Sequence, residues 1–107
     1  MTTQFVDHTA DLEPGPVNLD GMDQSELYTF IAATDPWPKR AAGRLFKGEP
    51  NAMRTMRTVR TVRWLCQYAR NKVVAMACRE RGEVKEALRY ENACERYYND
   101  LPEYARW

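Results

Sequence analysis

The chain has 107 residues and a net charge of +1 from 16 basic and 15 acidic side chains, which bounds it to one small domain with a thin core that invites a second copy or a partner to cover its apolar faces. No apolar run approaches the roughly 18 to 20 residues that span a bilayer, and the opening MTTQFVDHTADLEPGP lacks the basic-then-apolar layout of a signal peptide. A cytoplasmic protein without membrane association is therefore expected.

The near-zero net charge conceals segregation along the chain. Residues 1–22 carry four acids and no Lys or Arg, and residues 23–38 add three more acids. Residues 39–81 hold twelve basic side chains against Glu49 and Glu80, and residues 82–107 hold four against six acids. Such a molecule attracts polyanions, acidic surfaces or its own kind.

Residues 1–22 mix Pro14, Gly15, Pro16 and Gly21 with acids and few aromatics, a composition that does not offset the entropy of ordering by burial. They are expected to form an extended, flexible acidic arm, leaving 23–107 as a single small helical domain. Asp23 and Glu26 have the spacing of a capping box and start a short helix over about 24–34, with Leu27, Phe30 and Ile31 on its apolar side. Pro36 and Pro38 end it. The segment from Lys39 to Phe46 has one or two turns' worth of apolar spacing in Ala41, Ala42, Leu45 and Phe46.

After Pro50, which suits a helical first turn, no proline or glycine occurs until Gly82. Val59, Val62, Leu65, Cys66, Ala69, Val73, Met76 and Ala77 keep helical spacing and predict one long helix over about 51–81. A looser set including Trp64, Tyr68 and Ala75 needs cover from the first helix or from another subunit. Gly82 marks a left-handed stop, and a second helix over 83–101 carries Val84, Ala87, Leu88, Glu91, Cys94, Tyr98 and Leu101 before Pro102. The fold class is thus all-α, a long antiparallel helical hairpin with a short N-terminal helix.

Chemistry-bearing patterns are few. Arg54, Arg57, Arg60 and Arg63 recur every third residue, interleaved with threonines, and drift by about 60° per step so that they fan around the helix. With Arg70 they form a candidate nucleic-acid-binding set, since guanidinium forks and hydroxyls reach phosphates; a solvated helix face is the plainer reading. Glu91 falls within the apolar stripe and predicts a buried polar pair, with Lys72 on the facing helix as its partner. Trp64, Tyr68, Tyr97, Tyr104 and Trp107 are the aromatic candidates for a partner-binding surface, and the C-terminal tail is expected to fold back on Trp64 and Tyr68. Cys66, Cys78 and Cys94 lack metal-site spacing and His8 is the only histidine, so no metal, cofactor, small-molecule substrate or catalytic residue is expected.

The stretch GEVKEALRYENAC resembles the turn and second helix of a tetratricopeptide unit, with Ala87 as the small residue five after the glycine, although Glu91 stands where that family prefers an aromatic. That resemblance implies a helical hairpin. The runs YARNKVVAMACRERGEVKEAL and YENACERYYNDLPEYARW resemble a C-terminal signature of small uncharacterised proteins of bacteriophages and environmental bacterial genomes. It implies a phage or mobile-element origin and, if phage-encoded, residence in the host cytoplasm; it implies no activity. Three functions fit the residues: a self-associating protein-interaction module without enzymatic activity, a nucleic-acid binder using helix 51–81, and a small inhibitor of a host nucleic-acid-binding protein.

Overall fold

The computed structural model describes residues 8–47 and 56–107. Four α-helices account for most of them: α1 (Gln24–Thr34), α2 (Pro38–Leu45), α3 (Met56–Glu80) and α4 (Val84–Asp100), with single 3₁₀ turns at His8–Asp11, Leu19–Gly21 and Glu103–Ala105. Among the described residues there is no strand. The start of the long helix expected near residue 51 lies outside them, as does Pro50.

Each boundary has a local cause. The α1 capping box forms: the Glu26 amide donates to Asp23 Oδ1 at 2.8 Å and the Asp23 amide to Glu26 Oε1 at 3.2 Å. Pro38 does more than block α1, because it occupies the first turn of α2, where its missing amide is harmless. Gly82 adopts φ +75°. Its amide reaches the Arg79 carbonyl at 3.1 Å while the Glu83 amide reaches Cys78 at 2.9 Å, the paired bonds of a Schellman stop. The chain reverses there, and α3 and α4 pack as an antiparallel hairpin.

α1 also runs antiparallel to α3. Gln24 at its start bonds Glu80 (2.7 Å) and Asp35 just past its end pairs with Arg70 (2.6 Å). Buried between them, the Thr34 hydroxyl meets Cys66 Sγ at 2.8 Å. α1 and α2 therefore cover the side of α3 that α4 leaves bare, and one core joins Leu27, Phe30, Leu45, Val62, Leu65, Ala69 and Cys94. A second subunit is not needed for that cover.

Three expectations about inside and outside are corrected. Residues 8–22 are not a free arm: Leu19 is 0% exposed, Thr9 is buried, and the Gly15 amide bonds the Leu45 carbonyl at 2.8 Å. One leucine in a polar, proline-containing stretch supplies the anchor. On α3 the buried face includes Thr58, Thr61, Tyr68, Ala75 and Cys78, while Val59, Met76 and Ala77 are only half-buried, because partners on two sides rotate the buried sector away from a single stripe. On α4, Val84 and Leu88 are exposed. The first turns of that helix meet only α3, and a two-helix contact buries a narrow seam.

The C-terminal tail folds back, held by its own polar groups. Arg106 donates to the carbonyls of Asn99 (2.8 Å) and Leu101 (2.9 Å), satisfying acceptors that a helix end leaves open. Trp107 then lies edge-on to both Tyr68 and Tyr98, with centroids 4.9 and 4.8 Å apart, and the Tyr98 hydroxyl donates to the Trp107 carbonyl at 2.6 Å.

Candidate functional site

The site emerges from where the helices put the basic side chains. α2 packs beside the N-terminal part of α3, and between them lies an open cleft of about 1080 Å³. Ala41, Ala42 and Leu45 turn α2's apolar side into the core, which leaves Lys39, Arg40, Arg44 and Lys47 along one wall. Arg57, Arg60 and Arg63 line the other, and Ala42, Gly43, Val59 and the exposed Met56 complete the lining with aliphatic surface. Thr9 touches the same cleft.

Seven cations thus surround one concavity, and no carboxylate is among its described lining residues. Among the described residues, Lys39, Arg44, Lys47, Arg57, Arg60 and Arg63 make no ion pair, whereas Arg70, Lys72, Arg79, Arg81 and Arg89 each hold a carboxylate elsewhere on the molecule. Segregation along the chain has become segregation in space. Two guanidiniums rest on indoles: Arg40 lies 5.1 Å from the Trp37 ring centre and Arg60 5.3 Å from that of Trp64. Such contacts help to hold an arginine in place.

The predicted arginine set is divided by the fold. Arg57, Arg60 and Arg63 share the cleft, Arg54 lies outside the described residues, and Arg70 is occupied by Asp35 at 2.6 Å. The interleaved threonines do not join the arginines in facing a ligand. Thr58 and Thr61 are buried, and Thr61 donates to the Arg57 carbonyl (2.9 Å) and meets the Tyr104 hydroxyl (3.2 Å). Residues one position beyond each arginine fall about 100° around the helix, on its inner side. Lys39, Arg40, Arg44 and, just past α2, Lys47 lie outside the arginine set that the sequence pattern marks. Their spacing at 39, 40, 44 and 47 around an alanine-leucine face was the signal available.

The aromatic set is engaged within the chain. Trp64 packs edge-on against Tyr97 (5.6 Å) and Phe46 against Tyr104 (5.1 Å). Tyr68 is 5% exposed and Trp107 half-buried. In this arrangement they close the domain and do not present an exposed face.

The Glu91 and Lys72 pairing is replaced by two others. Glu91 retains 38% of its side-chain exposure and takes both bonds of a fork from Arg79, at 2.7 and 2.9 Å. That fork, more than the partial desolvation opposing it, holds its carboxyl below the usual range. The helix rotation that exposes Leu88 also carries Glu91 to the rim. Lys72 instead reaches Asp20 at 3.1 Å.

Asp20 is the polar node of the opposite end. It accepts from the Tyr68 hydroxyl, from Trp107 Nε1 at 2.9 Å and from Lys72. Burial works to raise its pKa, but the three donors and the Lys72 charge together bring it below the ordinary aspartate value. In the small cleft beside it, about 330 Å³, Asp20, Tyr68, Lys72, Tyr98 and Trp107 are joined by hydrogen bonds and Glu91 is held by Arg79. Burial pushes the Cys66 thiol up and that of Cys94 to about 11, so neither offers a thiolate near neutral pH. Among the described residues no group of three His, Cys, Asp or Glu is placed to hold a metal ion, and no helix is long and apolar enough to cross a membrane. No protein-family model, curated protein or solved structure matches the chain.

Proposed function

We propose that this chain is a small, non-enzymatic helical protein that binds nucleic acid through the cleft between α2 and α3. One observation carries the reading: Lys39, Arg44, Arg57, Arg60 and Arg63 from two helices and Lys47 just past α2 converge on a single concavity with no carboxylate among its described lining residues. Holding so many like charges together is unfavourable unless a polyanion neutralises them. Arginine and lysine at about 4.5 to 6 Å steps along helical walls suit successive phosphates, which a nucleic acid offers in rows.

Self-association is the second reading, favoured by the exposed Val84 and Leu88 on adjacent turns of α4. It has less support, since the aromatic residues expected to drive it pack inside the chain.

The test is fluorescence anisotropy with a labelled nucleic acid across a salt series. Up to six phosphate contacts give a slope of log K against log salt of up to about −5 on duplex, so binding that is firm near 50 mM salt weakens about 10³-fold by 200 mM. A slope shallower than about −2, or no binding at the lowest salt, contradicts the reading.

A further inference from the structure

The chemistry of the cleft says more than that its ligand is anionic. Its contact groups are of two kinds, cationic walls and the aliphatic surface of Ala42, Val59 and Met56. Among its described lining residues there is no Asn, Gln, Asp or Glu, the side chains that pair with adenine or cytosine edges. Nor is there among them an aromatic ring on which an unpaired base would stack. Trp37 and Trp64, the nearest indoles in sequence to the two walls, lie under Arg40 and Arg60. Thr9, the one hydroxyl among the described lining residues, is buried, so it is not placed to select a ribose 2′-hydroxyl.

From these features, and resting on the nucleic-acid reading above, we infer that the cleft takes the sugar–phosphate backbone of double-stranded DNA, without regard to base sequence and in preference to single strands. Two physical terms favour the duplex. Each phosphate contact releases about 0.9 of a counterion from duplex DNA against about 0.7 from a single strand. A duplex is also already stiff, whereas a single strand must lose conformational entropy on binding, and base stacking on protein, which normally offsets that loss, has no aromatic platform among the described lining residues. Bases of a bound duplex face away from the walls and remain paired. The walls are short: Arg57 to Arg63 spans about 9 Å of helix axis, the rise of roughly three nucleotides along one strand. One chain therefore grips a local stretch of backbone.

The experiment compares, in one low-salt buffer and with the intact chain, two duplex DNAs of about 20 base pairs with unrelated sequences, one A·T-rich and one G·C-rich, their separated single strands, and the matching RNA duplex. The expected result is affinities for the two DNA duplexes within about threefold of each other and single strands weaker by about tenfold. Single strands that bind as well as or better than duplex overturn the inference, as does a tenfold preference for one duplex sequence or for the RNA. If single strands bind best but with a steep salt slope, the nucleic-acid reading stands and only the duplex assignment fails. If none of the probes binds, both fall together.

Discussion

Replacing Arg57, Arg60 and Arg63 together by glutamate is expected to weaken DNA binding by about 100-fold or more at 50 mM salt and to flatten the salt slope by about 3. All three side chains are exposed, so the helix they sit on loses no core packing. The one internal contact at stake is Arg60 against the Trp64 ring, worth about 0.5 to 1 kcal/mol at such a site. The informative control changes charge by the same amount at another place. Lys85, Arg89 and Arg96 are exposed on α4, away from the cleft lining, and their replacement by glutamate is expected to change affinity by less than about fivefold through the long-range field alone. Equal losses in the two triple variants would mean that net charge, and not the cleft, governs binding. Circular dichroism and thermal melting establish that both variants keep the fold.

Asp20→Ala is expected to destabilise the domain by about 2 kcal/mol at pH 7, a fall of about 8 to 16 °C in Tm for a chain of this size. The size of the effect follows from what the carboxylate leaves behind. The Tyr68 hydroxyl sits on a residue 5% exposed and loses its acceptor, and an unsatisfied buried donor costs about 1 to 3 kcal/mol. The Trp107 indole loses its bond as well, which loosens the tail that carries buried Leu101 and Ala105. Half of the Asp20 side chain is exposed, so water screens its ion pair with Lys72 and little is assigned to that pair. Sign and pH window are fixed by the direction of the shift. The folded-state pKa lies below the unfolded reference of 3.8, so the carboxylate's contribution is fully present well above that value and is lost as pH falls through the folded-state value. Urea denaturation of wild type and variant should therefore show a gap at pH 7 that narrows below pH 3.8. A gap under about 0.5 kcal/mol at pH 7, or one that widens on acidification, would mean that Asp20 does not tie the N-terminal segment, α3 and the tail together.

Much of the frame could be read from residue order because its signals are local. The Asp23 and Glu26 box, the prolines after Thr34 and the glycine at 82 each act within a few residues, and the antiparallel hairpin follows from the last of them. What could not be read depends on rotation and on long-range contact. A turn of α4 by a fraction of its circumference separates a buried Glu91 from one at the rim, and apolar periodicity does not resolve that angle when the seam is narrow. Leu19 and Asp20 looked like part of a solvated arm, since a single buried leucine and a single carboxylate leave no periodic trace. Their partners Tyr68, Lys72 and Trp107 lie about 50 to 90 residues away in sequence.

The cleft was half legible. The fan of arginines from residue 54 to 63 and the basic excess of residues 39–81 were visible in the sequence. That the fan forms one wall, and that α2 supplies the other, required the packing of α2 against α3. A three-residue arginine step makes a poor straight edge, but it lines a curved wall well. This geometry also explains why Arg70 departs from the set: two turns farther on, it faces Asp35 at the end of α1.

The most direct test of the cleft is to follow arginine side-chain NMR signals while titrating a short DNA duplex into the protein. The Nε–Hε resonances of Arg57, Arg60 and Arg63 should move in step with one another and saturate at one duplex concentration, while those of Arg79 and Arg89 stay in place. Movement confined to the latter pair, or spread evenly over every arginine, would contradict a phosphate-binding site between α2 and α3.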